Sequence, residues 1–543
     1  MRKPKNRILG GLLSILRNEI QSHRTLDGRR NFLKQTAKVT VAFTVASSIP
    51  TVFTSCKTAT GNGASVNSNE ILDIAILGGG MAGLNCANHL LNSGLSFRIF
   101  EADRRIGGRI LTHYNDSLGL GIFPEFGAEF IDSDHEDMLA LCKEFNLELL
   151  DMIAEQEKNN WIKDIFFFDN RRISEAEIIK EFKKIAPKIA KDLDALGENY
   201  DTEDAVRFDN MPLSDFLKSL KCKNWLKELF EVSFVAEFGL DCKDQSTINF
   251  LDMVDTDTSE GFKVFGTSDE RYRVKGGNSE VIKHLAAKVG RDNIDINYEV
   301  NAIEELEDST YLITFKNGEQ VNAKSIVCTI PYTILRNIDL KLKGMSPEKR
   351  KCIDELGYGI NTKLLLGYDS LPWRSKENNA MGYLFTTEMT NGWDASVNKK
   401  EDNPNGAYIA FFGGDLSQEL ANKSFKNPHQ PPTHVWRTGL PDETVNYYLN
   451  SLDKIFKHSK EHYVGRYVFV NWIDYPFVKA SYSCYRIGQW TSIAGLEMQP
   501  VGSFLFAGEH CSAQFQGFMN GAAETGRRVA ESILKAKEVV VNN

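Results

Sequence analysis

Several things are scarce in this chain, and each scarcity removes a class of function. No apolar run approaches the ~20 residues a membrane-spanning helix needs, so nothing in it reads as a bilayer span. The nine cysteines are scattered, without a CxxC pair or zinc-type spacing. Cys86, Cys142 and Cys328 instead read as small core hydrophobes. Of ten histidines, only His458 and His462 stand four apart. Their surroundings are Lys-rich and lack the glutamate of HExxH, so they read as a solvated helix face, and no metal is expected. There is no internal repeat, which argues against solenoids and propellers. What remains is ordinary globular material, 42% hydrophobic and 25% charged, long enough for two or more domains.

Positive charge is also scarce, except at the start. The first 55 residues hold ten Lys/Arg against two acids, a net of +8. Subtracting that from the whole-chain −9 leaves −17 for the rest. A body this acidic repels nucleic-acid phosphates and attracts cations, within the limits set by salt screening. Arg29-Arg30 precedes Asn31-Phe32-Leu33-Lys34 and a modestly apolar stretch from Val39 to Phe53. That arrangement resembles a twin-arginine export signal, read by machinery that passes folded proteins to the periplasm. Phe53-Thr54-Ser55-Cys56 resembles a loose lipobox, making Cys56 a candidate for lipidation. Thr58–Asn69 is small and polar, a tether reaching roughly 20 Å by the random-coil estimate.

Residues 71–109 hold the densest information. An apolar, β-branched run from Ile71 to Leu77 leads into Gly78-Gly79-Gly80-Met81-Ala82-Gly83. A helix-compatible stretch follows from Leu84 to Leu91, then a strand from Leu95 that stops on Glu101. This is a dinucleotide-binding βαβ pattern with its strands, helix and acid in register. Gly78 makes the tight turn, Gly80 lets backbone approach a pyrophosphate, and Gly83 lets helix pack on strand. The helix N-terminus offers free N–H groups to phosphate, and Glu101 is placed to accept hydrogen bonds from a ribose diol.

Downstream come Gly107-Gly108-Arg109 and Glu125-Phe126-Gly127-Ala128-Glu129. Near the far end stand Phe504-Leu505-Phe506-Ala507-Gly508-Glu509-His510 and Gly517-Phe518-Met519-Asn520-Gly521. At these residues, from about Ile71 to Leu534 and in matching order, the chain resembles the flavin-dependent amine oxidases. These are the monoamine and polyamine oxidases, with L-amino-acid oxidases as cousins. The resemblance implies FAD, and an α/β fold in which a Rossmann-like βαβ domain interleaves with a mixed-sheet and helical α+β substrate domain. It assigns 1–55 to a leader and 56–69 to a tether. The FAD domain takes 70–135, 271–331 and 470–535, and the substrate domain takes 136–270 and 332–469. Pattern alone gives only the alternation of α-rich stretches (Glu175 to Leu196, Leu213 to Phe234) with β-rich ones. The latter are Ile294 to Ile303, Thr310 to Phe315, Ser325 to Ile330, Asn361 to Tyr368 and Gly406 to Phe412. Asn378 to Asn405 and Lys423 to Pro441 read as polar surface loops.

The same resemblance implies site roles. Lys363, which by itself reads as a solvated strand-edge lysine, matches a lysine that orients a water beside the flavin and aids its reoxidation. Tyr482 and Phe518, otherwise plain core aromatics, match an aromatic pair that holds the neutral amine. Arg109 would reach the pyrophosphate, and Glu509 the ribityl chain. Gly108, Gly127, Ala128, Glu129, Phe130, Gly517 and Met519 would line the flavin. Val300 would contact adenine, and Trp472 the isoalloxazine edge. Ser481 replaces the cysteine that some relatives bond to the flavin, which implies non-covalent FAD. Phe130 replaces the arginine with which amino-acid oxidases clamp a carboxylate, which favours amines. The activity implied is oxidation of an amine to an imine, and then an aldehyde, with O₂ or another acceptor taking the electrons. The alternatives are an L-amino-acid oxidase, a flavin-binding lipoprotein without turnover, and a desaturase or porphyrinogen-oxidase relative.

Overall fold

The computed structural model describes residues 71–425, 436–437 and 439–541. The leader, Cys56 and the tether lie outside the described residues, as do residues 426–435 and 438 of the second proposed loop.

Two eight-stranded sheets organise the chain. In the first, Ile71–Leu77 lies between Phe97–Glu101 and Gln320–Cys328, parallel to both. Its β-branched, apolar residues suit a strand covered on both faces, and from Ile74 to Leu77 all are buried. Gln320–Cys328 forks: its first half pairs antiparallel with Tyr311–Phe315, its last three residues parallel with Phe504–Phe506. The FAGE segment therefore leaves the sheet beside the glycine loop, although some 430 residues separate them in sequence. One face of the sheet is covered by the helices Met81–Leu90, Ser279–Val289 and Met519–Val541.

The second sheet runs Trp436–Arg437, Tyr463–Asn471, Asn361–Tyr368, Gly406–Gly413, Asn391–Asp394, Ala380–Thr386, Ile162–Phe168, Arg171–Ile173. All eight residues of Asn361–Tyr368 are buried. Helices between Glu175 and Met253 form a separate apolar core beside this sheet.

Several sequence expectations need correction. Glu175–Leu196 is two helices, Glu175–Phe182 and Ala186–Ala195, because Pro187 fits only a first helical turn. Leu213–Phe234 also divides, into Leu213–Ser219 and Asn224–Phe238. Ile294–Ile303 breaks into Ile294–Ile296 and Val300–Glu305, with Asn297 left-handed at the break. The return to the first sheet does not end at Pro331, since Asp339–Lys341 adds its edge strand. His458 and His462 are not on a helix face. His458 is left-handed at the start of the turn Ser459–His462, and the two rings pair with Glu461 and Asp369. The largest correction is Asn378–Asn405. It supplies two buried strands, Ala380–Thr386 and Asn391–Asp394, in the interior of the second sheet.

Candidate active site

One continuous cavity runs from the glycine loop to the second sheet. At its first end the three glycines differ in what they do. Gly78 has φ +112°, which side-chain-bearing residues rarely adopt. A Cβ on Gly83 would stand 2.0 Å from the Gly78 carbonyl oxygen, so Gly83 permits the helix to pack. Gly83 does not line the cavity, and its place is at the helix–strand contact. A Cβ on Gly80 would meet nothing closer than the Gly108 Cα at 3.8 Å. That open cradle faces the N-terminus of Met81–Leu90, which has no side-chain cap and no acid in its first turn. The exposed N–H groups and the dipole favour a phosphate there.

Glu101 ends its strand inside the cavity. Its carboxylate accepts from Gly79 N at 2.7 Å and Asp103 N at 2.8 Å, which fixes the loop. Burial pushes its pKa up, and the two backbone hydrogen bonds oppose that shift. Val300 lies on the same side.

In the middle, Glu509 organises the groove. Its carboxylate accepts from Arg109 Nη1 at 2.7 Å, Ser483 Oγ at 2.7 Å and Gly517 N at 2.9 Å. Burial pushes Glu509 up, but Arg109, His510 and Ser483 outweigh it and leave the carboxyl below its usual value. Arg109 Nη1 also donates to the Ser481 carbonyl at 2.8 Å. The structure thus gives Arg109 the task of bracing Glu509 and the Ser481 backbone. Gly108, Gly127, Ala128, Trp472 and Met519 line the same stretch, Trp472 donating to the Phe126 carbonyl at 2.9 Å.

At the far end stands Lys363. The two-residue period of Asn361–Tyr368 turns Asn361 and Lys363 to the cavity and Leu364 and Leu366 to the core. Lys363 lies on an interior strand, not an edge, and is 7% exposed. Its ammonium donates to the carbonyls of Gly127 at 2.8 Å and Glu125 at 3.1 Å, and to Glu129 Oε2 at 3.3 Å. Burial lowers its pKa, and Glu129 and Glu125 only partly restore it. Glu125 itself is pushed up to about 7, chiefly by burial, with the Asn278 N–H opposing. Glu129 also accepts from Trp393 Nε1 at 2.9 Å and sits 3.4 Å from Arg273.

Tyr482 and Phe518 both line the cavity. Tyr482 OH donates to the Ala236 carbonyl at 2.8 Å, and the Phe518 ring rests edge-on against His135, centroids 5.2 Å apart. Phe130 packs on Trp393, with the Arg273 guanidinium 4.8 Å from its centroid, and Arg273 does not itself line the cavity. Arg273 is already held by Glu129 and the Asp394 carbonyl. The arginines that do line the cavity, Arg105 and Arg109, are bonded to Gly108 O and Glu509.

Sequence reasoning missed Glu237, Glu270, Tyr383, Asn391 and Trp393, which also line the cavity. The alternation Met381, Tyr383, Phe385 was the available strand signal, hidden between Asn/Glu/Lys-rich flanks. Asp132, Asp134 and His135 approach each other closely enough to suggest a cation. Asp132, however, accepts from Glu270 N, and His135 Nδ1 from Asp132 N, so internal bonds occupy them.

A βαβ glycine cradle with a buried carboxylate at the end of its second strand, opening into a chamber with a buried lysine, fits a dinucleotide-dependent oxidoreductase. Residues 81–534 match the family model "Flavin containing amine oxidoreductase", and the chain belongs to that family. Its cofactor is FAD, and its chemistry is amine oxidation. The flavin-containing amine oxidase A of Sus scrofa is 22% identical over 487 residues, covering 87% of this chain and 86% of that protein. An L-amino acid dehydrogenase of Synechocystis is 24% identical, with 85% and 94% covered. The solved putrescine oxidase, wild type bound to putrescine, superposes with a TM-score of 0.68 at 18% identity, covering 86% of this chain and 99% of that one.

Proposed function

We propose that this enzyme oxidises an amine rather than an α-amino acid, and that Lys363, Tyr482 and Phe518 carry the reaction's substrate end. When bound, FAD would supply the hydride acceptor that oxidises the amine to an imine, which water converts to an aldehyde. The chain's own groups do the rest. Gly80, the helix N-terminus and Glu101 hold the dinucleotide. Arg109, Glu509 and Gly517 fix the middle of the groove. The Tyr482 and Phe518 rings flank an apolar space that excludes water and accommodates a neutral amine. Lys363, its three N–H groups taken by two carbonyls and Glu129, places a positive charge at the chamber wall that favours the negative charge developing on O₂, with H₂O₂ as product.

The observation that carries the amine reading is the charge of the chamber wall. Phe130 stands at the clamp position, Arg273 is held by Glu129 and the Asp394 carbonyl and does not line the chamber, and Glu237 and Glu270 do. A carboxylate entering there meets two carboxyl groups and no free guanidinium to clamp it. FAD is held non-covalently, because no cysteine lines the cavity among the described residues. Ser481 Oγ is bonded to Asn361 at 2.6 Å, and Cys484 is fully buried. The Arg29-Arg30 leader and Cys56 support export by the twin-arginine route and a lipid anchor on the periplasmic side. Purified holoprotein tests the reaction: anaerobic addition of amines should bleach the flavin, whereas amino acids should not. Bleaching by amino acids in preference to their decarboxylated amines contradicts it.

A further inference from the structure

Glu237 and Glu270 have no task in the reaction just described, yet both face the reaction chamber. Glu237 stands in the last turn of Asn224–Phe238, which stops at left-handed Gly239. One residue earlier, the Ala236 carbonyl accepts the Tyr482 hydroxyl, so the helix end and the reactive-site ring are tied together. Glu270 approaches from another segment, its N–H donating to Asp132 at 2.9 Å.

A second, independent feature lies beside them. Asn391 is 3% exposed and lines the chamber. Its Nδ2 donates to Tyr383 OH at 3.0 Å, and that hydroxyl donates to Glu270 Oε1 at 3.2 Å. With Glu270 ionised, as a bound cation would keep it, the Tyr383 proton goes to the carboxylate and the Asn391 amide meets Tyr383 through its Nδ2. The relay therefore leaves Asn391 Oδ1 as a buried acceptor with no donor in the protein. An orphan acceptor of this kind is costly to bury unless a ligand satisfies it.

The three groups share one requirement. Two carboxyls and an amide oxygen all accept, and a group with several N–H donors, no acceptor and a positive charge answers them together: an ammonium. Burial pushes Glu237 up to about 7 and holds Glu270 well above the usual carboxyl value, with Asp132 adding to both shifts. Lys163 offsets Glu270 in part, but from an adjoining hollow and without lining this chamber. Lys363 is committed to Glu129.

We infer that Glu237, Glu270 and Asn391 form a binding site for a second ammonium group, so that the preferred substrates are diamines or longer polyamines. One amino group enters the space between Tyr482 and Phe518 and reacts. The other stays protonated and is held by the acid pair and the amide oxygen. The inference rests on the amine-oxidase reading above and narrows it.

The test uses FAD-loaded full-length enzyme and compares putrescine, cadaverine and spermidine with butylamine. The wild type should show a kcat/KM for its best diamine at least about tenfold above butylamine, the lower bound for one charge-assisted contact. Glu237→Gln and Glu270→Gln should each shrink that diamine-to-butylamine ratio by roughly 10- to 100-fold, and Asn391→Leu should shrink it less. Flavin content, read from the visible spectrum, reports whether each variant is folded. A wild type indifferent to the second amino group overturns the inference whether or not the variants fold, and so does a ratio unmoved in flavin-replete variants. If no amine at all reduces the flavin, the amine reading itself fails, a result distinct from either.

Discussion

Gly80→Ala separates the cofactor's needs from the fold's. The backbone at Gly80 has φ −81° and ψ −172°, ordinary for alanine. The added Cβ would lie 3.8 Å from its nearest protein neighbour, the Gly108 Cα, which is normal contact. The apoprotein should therefore keep its stability within about 0.5 kcal/mol, or gain about 0.4–1 kcal/mol from the restricted unfolded chain. The same methyl projects into the cradle where the pyrophosphate must approach the backbone. Displacing the phosphates from the helix N-terminus should forfeit one or two charge-assisted hydrogen bonds, about 1.5–3 kcal/mol each, or at least tenfold in Kd. Apoprotein unfolding in urea and titration of FAD by fluorescence quenching measure the two quantities separately. An alanine variant that binds FAD as tightly as wild type would refute the placement of phosphate against Gly80.

Gly83→Ala should behave oppositely: its Cβ falls 2.0 Å from the Gly78 carbonyl oxygen, so the apoprotein should lose about 1–3 kcal/mol or fail to fold. Lys363→Met removes one of two cations on Glu129, with Arg273 and Trp393 remaining, so the loss of stability should stay below the about 3–5 kcal/mol of a fully broken buried pair. Its reduced flavin should react with O₂ at least about tenfold more slowly, and unchanged oxygen kinetics in stopped flow would remove Lys363 from that step. Glu125 gives a pH signature, because its carboxyl moves from 4.5 up to about 7 in the fold. With the folded pKa raised, the native state keeps a proton that the unfolded state has lost, so apoprotein stability falls as pH climbs from about 4.5 to about 7. Glu125→Gln cannot titrate and should flatten that decline, by on the order of 3 kcal/mol at most, in urea unfolding across that range. Acid precipitation of the holoprotein should release all flavin to the supernatant, and yellow pellets would contradict non-covalent binding.

What could be read from the sequence was local. The glycine loop, its flanking strand and helix, and Glu101 lie within 31 residues, Ile71 to Glu101, and the glycines and the acid each meet a steric or hydrogen-bonding demand specific to that residue. The far wall was not legible in that way. Tyr383, Asn391 and Trp393 reach the chamber only because their strands insert between Ile162–Phe168 and Gly406–Gly413, a pairing set by tertiary packing. Polar flanks made that stretch resemble a surface loop. Lys363 carried no intrinsic signal either, since a lysine in an apolar strand is equally consistent with an edge. Its interior position follows from two neighbouring strands that are distant in sequence. Arg109 shows a different limit: residue type foretold a charge-assisted partner, and the fold supplied Glu509, 400 residues away.

The most direct test is to mix oxygen-free holoprotein with a diamine and follow the flavin's visible absorbance. The account expects complete bleaching, restored on admitting air with one H₂O₂ per substrate consumed. A flavin that stays oxidised with every amine offered, while remaining chemically reducible by dithionite, would contradict it.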